Sequence, residues 1–220
     1  TISYTEQSKP RGLADAFLVG EDFIGGEPVF LILGDNILFG HGLPDQLREA
    51  VKLRKGAQIF AYQVKDPERY GVVELDNKSK VISIEEKPER PRSNWAIPGL
   101  YLFDERVVEF ARELRPSPSR GELEIVDLIR MYLELGELRV ERFGRGIAWL
   151  DAGTPESLLE AAQFVATIQK RQGMMISCPE EIALRMGYIT VEELRLQVEG
   201  MGDNSYKDNL VRLLDEEMVE

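Results

Sequence analysis

The stretch Val29-Phe30-Leu31-Ile32-Leu33-Gly34-Asp35-Asn36 constrains the chain more than any other. Five consecutive apolar residues, rich in β-branched and aromatic types, read as a strand buried on both faces. The run stops at Gly34, and a carboxylate follows at once. In an open α/β sheet, ligands bind outside the carboxyl ends of the strands, which is where Asp35 falls. The competing reading is a plain strand-ending turn, because Gly-Asp-Asn is good turn chemistry.

The neighbouring sequence extends the pattern. Residues 1–6 read as a short strand, and Leu13, Ala14, Phe17, Leu18 and Ile24 lie at helical spacing up to Gly25-Gly26. Phe39-Gly40-His41-Gly42 reads as a loop, residues 43–53 as a helix and 58–64 as a second apolar strand. The strand–helix–strand order predicts parallel pairing through a right-handed crossover. Two alternating runs around Asp76-Asn77-Lys78-Ser79 predict a β-hairpin. Residues 96–103 are strand-like, with Pro98 marking an edge or a bulge. Helices are expected at 105–114 and 122–135, with Gly136 ending the second. Strands at 138–143 and 146–150 follow. Thr154-Pro155 opens a helix running to about 171, and beyond Gly173 only helical patterns remain. Thr190 with Glu193 forms a capping box, and a last helix covers about 206–218. Residues 1–171 therefore read as a mixed α/β domain and 172–220 as a helical annex.

Composition narrows the partners. A formal net charge of −12 argues against a nucleic-acid backbone or an anionic membrane surface. It leaves room for small anionic ligands held by local Lys, Arg or backbone N–H groups. The single cysteine, Cys178, permits no intrachain disulfide, in keeping with a cytoplasmic setting. One histidine and one cysteine speak against a His/Cys zinc site. No apolar run approaches the length of a membrane span.

Two carboxylates, Asp35 and Asp151, each follow an apolar strand. If the strands end on one edge, the pair can share a hard cation such as Mg²⁺, with phosphate oxygens and water completing its shell. Asp151 could equally help to cap the following helix. Glu86 and Lys87 sit side by side at a strand end, where a Glu can accept from sugar hydroxyls and a Lys can hold a phosphate. A solvated charged strand end is the alternative. Gly71 and Gly99 could admit a ligand close to the backbone or serve as bulges and turns. Trp149 could pack on a ligand ring or in the core, and His41 could be a base or a simple polar contact.

In order along the chain stand Gly34-Asp35-Asn36, Glu68-Arg69-Tyr70-Gly71-Val72-Val73, Glu85-Glu86-Lys87-Pro88, Gly99-Leu100-Tyr101, Arg120-Gly121-Glu122-Leu123-Glu124 and Trp149-Leu150-Asp151-Ala152-Gly153-Thr154. As a set they resemble the sugar-1-phosphate nucleotidyltransferases, and Ser177-Cys178-Pro179-Glu180-Glu181-Ile182-Ala183 is similar to the thymidylyl-transferring branch. The resemblance covers nearly the whole chain to about residue 195. It implies a Rossmann-like three-layer α/β fold of the nucleotide-diphospho-sugar transferases. The implied reaction joins dTTP and glucose 1-phosphate into dTDP-glucose and pyrophosphate. By motif, Asp35 and Asp151 would hold Mg²⁺, and Gln7 and Gly12 would recognise thymine. Glu86 would bind glucose hydroxyls, Lys87 and Arg120 the phosphate, and Tyr70, Gly71, Tyr101 and Trp149 would line the sugar pocket. Gly40, His41 and Arg185 would contribute to a second, regulatory nucleotide site. The helical annex would lie at a subunit interface of a homotetramer.

The family's opening loop, Gly-Gly-x-Gly-Thr-Arg, has no counterpart here. The expectation is an N-terminally truncated core without the first strands, with strand 29–33 left as an apolar edge and full catalysis by this chain alone in question. A transferase for another nucleotide, or a non-catalytic sugar-phosphate-binding subunit, would share much of the same pattern.

Overall fold

The computed structural model describes residues 2–118 and 120–217. The described residues fall into two compact units, one ending at Asp151 and the other beginning at Ala152. The division thus comes before the helix at 155–172, which clusters with the helices that follow it rather than with the α/β core.

The first unit runs α1 (Asp15–Val19), α2 (Glu21–Ile24), β1 (Val29–Ile32), β2 (Asn36–Gly40), α3 (Leu43–Ala50), β3 (Ala57–Gln63), β4 (Gly71–Leu75), β5 (Val81–Glu86), β6 (Trp95–Ala96), β7 (Leu100–Phe103), α4 (Val107–Glu113), α5 (Ile125–Glu134), β8 (Leu138–Arg142) and β9 (Ile147–Asp151). The main sheet has the order β1-β7-β3-β6-β4-β5, and β8 pairs with β3. Among the described residues only β3 and β8 pair in parallel; the other ladders are antiparallel. A small second sheet joins β2 to β9, with Asn36 opposite Asp151.

Period-two alternation turns this sheet into the middle of three layers. Ile59 and Ala61 of β3, with Tyr101 and Phe103 of β7, pack with Phe17, Val107, Ile129 and Tyr132 of α1, α4 and α5. The intervening Phe60, Leu100 and Leu102 pack with Ala50 and Leu53, at and just beyond the end of α3, and with Phe143. Phe60 stacks on Phe143 with ring centroids 4.8 Å apart, and Phe17 meets Phe103 edge-on at 5.3 Å. Each such buried aromatic contributes on the order of 2 kcal/mol relative to exposure.

Several sequence expectations need correction. Residues 2–6 form no strand: Ile2 and Tyr4 are exposed, and among the described residues no ladder reaches them, while Thr1 lies outside the described residues. The first helical pattern is two short helices, because the chain turns at Gly20. The run 29–33 is only partly buried; Ile32 is 57% exposed, since β1 stands at the end of the sheet order and pairs only with β7 among the described residues. β1 and β3 do not pair as a crossover unit, because β7 runs antiparallel between them. Asn36, read as a turn residue, and Phe39-Gly40, read as the start of a loop, belong to β2. Pro98 splits the expected 96–103 strand into β6 and β7. The hairpin β4–β5 lies where expected, with a bulge at Glu74/Leu75.

The second unit holds α6 (Pro155–Gln172), α7 (Pro179–Arg185), α8 (Val191–Glu199) and α9 (Ser205–Glu217). Thr154 caps α6 and Thr190 caps α8, each through a reciprocal box, with Ser157 and Glu193 as partners. Leu194, Val198, Leu210, Leu213, Leu214 and Cys178 form its core. Tyr206 of α9 donates to Glu180, and the Cys178 sulfur lies 3.3 Å from the Tyr206 oxygen, which ties α7 to α9. Among the described residues no helix is long and apolar enough to cross a membrane.

Candidate active site

A cavity of about 250 Å³ opens in the first unit where the β1–β2 corner, the start of β4, the end of β5, the segment before β7, the loop before α5 and the end of β9 converge. Asp35, Tyr70, Gly71, Glu86, Lys87, Tyr101, Arg120, Trp149 and Asp151 all line it. Nine sequence candidates from six separate segments therefore share one hollow.

The polar floor is organised by Asn36. Its Oδ1 accepts from Trp149 Nε1 at 2.7 Å and from the Gly99 N–H at 2.9 Å, and its Nδ2 donates to Asp35 Oδ1 at 2.8 Å. Asn36 also faces Asp151 across the β2–β9 ladder. The residue beside Asp35 and the residue opposite Asp151 are thus the same side chain. Sequence reasoning noted Asn36 only as part of a turn; the signal available there was its place directly after Asp35. Gly99 must stay a glycine, since a Cβ would come within 2.6 Å of the Leu33 side chain.

An aromatic wall stands above this floor. Tyr70 lies 4.9 Å from Trp149 between ring centroids, and Tyr62 meets the same indole edge-on at 5.7 Å. Arg69 covers the other part of Tyr70 at 5.3 Å, pairs with Asp66 at 2.8 Å and reaches toward Asp151 at 4.0 Å. Arg69 was not among the sequence candidates.

The charged groups are strongly interdependent. Burial pushes the Glu86 carboxyl above its ordinary range, the charge of Glu124 adds to the rise, and Lys87 and Arg120 oppose it. Burial, then the charges of Glu86 and Asp35, raises the Tyr101 phenol well beyond its usual value, so it stays a neutral hydroxyl. Arg120 pairs with Glu86, Glu122 and Glu124. Lys87 takes a left-handed backbone conformation, φ 41°, which is strained for a side chain of this kind. Its N–H is held by the Tyr70 carbonyl at 3.0 Å.

Gln7 and Gly12 line a second hollow of about 420 Å³, which shares Leu13 and Glu122 with the first. Gln7 donates to Asp15 at 2.7 Å and to the Gly12 carbonyl at 3.3 Å, and the buried Asp15 carboxylate is also held by Arg11. Gly40, ending β2, and His41 after it line neither hollow. Gly40 lies so close to Gly146 that a Cβ would reach its carbonyl oxygen at 2.3 Å. Arg185 closes α7 in the second unit and pairs with Glu181 at 3.3 Å.

Among the described residues no group of three or more His, Cys, Asp or Glu could hold a metal unaided. Asp35 and Asp151 offer hard oxygen donors to the same cavity, and two carboxylates suit a Mg²⁺ whose remaining positions go to phosphate oxygens and water. The donor set fits such an ion and would fit a thiolate- or imidazole-seeking metal poorly.

A three-layer mixed-sheet unit with acidic, cationic and aromatic groups around one cavity is the scaffold of a nucleotide-handling transferase. The family model described as "Nucleotidyl transferase" matches residues 1–168, and the chain belongs to that family. Among its relatives are proteins named glucose-1-phosphate thymidylyltransferase. That of Neisseria meningitidis is 54% identical over 214 residues, covering 97% of this chain and 74% of the relative. That of Xanthomonas campestris is 54% identical over 212 residues, covering 96% and 72%. A solved Bacillus anthracis chain assigned the same activity, in complex with a sucrose, superposes with TM-score 0.63 at 41% identity, over 72% of this chain and 62% of that one. A UDP-glucose pyrophosphorylase complexed with UDP-glucose gives TM-score 0.64 at 26% identity, over 76% of this chain and 66% of that one. This chain thus spans about three quarters of the curated relatives and under two thirds of the solved Bacillus anthracis chain.

Proposed function

We propose that the chain carries the sugar-phosphate half of a thymidylyl transfer from dTTP to glucose 1-phosphate, which gives dTDP-glucose and pyrophosphate. The observation that carries this reading is the convergence of the nine candidate residues on one cavity, in a chain about half identical to proteins of that name.

In the proposed reaction a phosphate oxygen of glucose 1-phosphate attacks the α-phosphorus of dTTP in line. The new P–O bond forms as the bond to the β-phosphate oxygen breaks, and pyrophosphate leaves with that oxygen. Positioning and charge neutralisation do most of the work in such chemistry. Lys87 and Arg120 hold the sugar phosphate, and Lys87 is the cation that acts in catalysis. Glu86, whose carboxyl burial pushes above its ordinary range, exchanges hydrogen bonds with glucose hydroxyls. Tyr70, Gly71, Tyr101 and Trp149 shape the sugar pocket, and Gln7 and Gly12 meet the thymine in the adjoining hollow. Asp35 and Asp151 would hold Mg²⁺, whose charge, when it is bound, offsets that of the triphosphate.

The reading extends to the rest of the molecule. Gly40 and His41 in the first unit contribute to regulatory nucleotide binding, and Arg185 in the second unit is a separate contributor to such regulation. Residues 172–220 supply a subunit interface in a cytoplasmic homotetramer.

The test is pyrophosphate release by the full-length protein with Mg²⁺, glucose 1-phosphate and each of dTTP, UTP, CTP and ATP. Preference for dTTP is expected. Preference for UTP would favour the uridylyl reading, for which the likeness to UDP-glucose pyrophosphorylase speaks. Binding of sugar phosphate with no pyrophosphate release would favour a non-catalytic subunit.

A further inference from the structure

The guanidinium of Arg120 is shared among three carboxylates. Nη1 lies 3.4 Å from both Glu86 Oε1 and Glu124 Oε2, and Nη2 lies 3.1 Å from Glu122 Oε2. These contacts are long, since a well-made N–H···O⁻ pair closes to about 2.7–2.9 Å. Arg120 is confined by them without being locked, so a phosphate group that offers short, paired oxygens can displace them.

The three carboxylates are not equivalent. Glu124 is only 8% exposed, one of three buried charged residues in the chain's described core. It sits at the N-cap position of α5. Its Oε1 accepts from the Ser117 hydroxyl at 2.9 Å. Ser117 is itself fixed by its backbone: its N–H donates to the Glu122 carbonyl at 2.7 Å, and its carbonyl accepts the Gly121 N–H at 2.8 Å. One oxygen of Glu124 is therefore tied from behind, and the other is left for Arg120. Ser117 does not line the cavity, whereas Glu124 and Arg120 do.

We propose that Glu124, backed by Ser117, is a positioning residue that holds Arg120 at the cavity wall, ready for the phosphate of the sugar phosphate. This rests on the function proposed above. A guanidinium has five donors on a long flexible stem and loses much rotamer freedom when it engages a ligand. Ordering the stem beforehand reduces that loss on binding. The opposing effect is competition by the Glu124 charge for the same guanidinium. The long contacts decide between the two, because they confine Arg120 while giving up little when it turns to a shorter partner.

The test compares Glu124→Gln, Ser117→Ala and the double variant in the full-length protein, by steady-state kinetics with Mg²⁺ and by thermal unfolding. Glu124→Gln keeps the side chain's size and an acceptor for Ser117 but removes its charge. The expected result is a rise of roughly tenfold in KM for glucose 1-phosphate with KM for dTTP unchanged. Ser117→Ala should raise the same KM severalfold, and the double variant should be no worse than Glu124→Gln alone, as expected for two residues acting in series. Glu124→Asp should recover part of the loss. An unchanged or lowered KM for glucose 1-phosphate, an equal rise in both KM values, or a loss of folding in both single variants overturns the proposal. A wild-type protein that neither binds glucose 1-phosphate nor turns it over overturns both this proposal and the function it rests on. A wild type that uses the sugar phosphate, with variants unaltered, overturns this proposal alone.

Discussion

The indole N–H of Trp149 donates to the side-chain oxygen of Asn36 at 2.7 Å, across 113 positions of sequence. The same oxygen takes the Gly99 N–H, and the amide nitrogen holds Asp35. One carboxamide thereby connects the end of β9, the segment before β7 and a candidate metal-holding carboxylate. Asn36→Ala leaves two donors unpaired in a partly buried place, which costs about 1–3 kcal/mol for a buried unsatisfied group. Urea denaturation should show a loss of that order. Asn36→Asp keeps an acceptor for both donors but loses the donor to Asp35 and sets a second carboxylate against it, so it too should be less stable than wild type. Equal stability of Asn36→Ala and wild type would show that the link carries no load.

Asp35 enters the cavity from the β1–β2 corner and Asp151 from the end of β9. Replacing either with Asn in the full-length protein should cut turnover at least about a hundredfold, the scale of a lost key electrostatic group. Binding of Mn²⁺, followed by its electron paramagnetic resonance signal, should weaken in both variants. Near-normal turnover with intact Mn²⁺ binding would remove these residues from the metal role.

Gly12 and Gly26 both have positive φ, 102° and 77°, but different surroundings. A Cβ on Gly12 would lie 2.5 Å from the Leu123 carbonyl oxygen and 2.6 Å from its nitrogen, whereas one on Gly26 would meet nothing within 4 Å. Gly26→Ala should cost only the left-handed penalty, about 1–2 kcal/mol. Gly12→Ala adds a backbone collision that no rotamer change relieves, and it should cost clearly more in thermal or urea unfolding. If the two variants unfold alike, the close approach of residues 12 and 123 is not a constraint.

Asp104 is wholly buried and accepts from Gly56 N–H at 2.7 Å, Tyr132 Oη–H at 2.9 Å and the Arg106 guanidinium. Burial alone would raise its carboxyl pKa, but the bonds from Arg106, Gly56 and Tyr132 outweigh burial and hold it below the ordinary range. A carboxyl depressed on folding stabilises the native state above its unfolded pKa, about 3.9. That contribution disappears as pH falls through the lower folded value. Asp104→Asn should therefore be less stable than wild type at pH 7, by about 3 kcal/mol as for a broken buried pair. The gap should narrow below about pH 4 in urea titrations. A gap independent of pH would show that the charge of Asp104 plays no part.

What could be read from the chain followed from local physics. The caps at Thr154 and Thr190, the left-handed Gly136 after α5 and the hairpin from Tyr70 to Glu86 depend on residues a few positions apart, and all stand where their sequence signals lie. The cavity residues were legible for another reason: the ordered motifs from Gly34-Asp35-Asn36 to Trp149-Leu150-Asp151 carry a resemblance that spacing alone does not. Tertiary structure decided what depends on distant partners. Residues 2–6 read as a strand, but among the described residues no strand pairs with them, and they are exposed. Asn36 reads as a turn residue and Phe39-Gly40 as the start of a loop, yet they belong to β2 because β9 supplies its ladder from the far end of the unit. The apolar run at 29–32 specifies a strand, but only its place at the end of the sheet order determines that Ile32 is exposed. Likewise, the sequence marks Asp35 as a carboxylate after a strand. The pairing of β2 with β9 brings it into one cavity with Asp151, because strand pairing is a long-range choice that no local run of residues encodes.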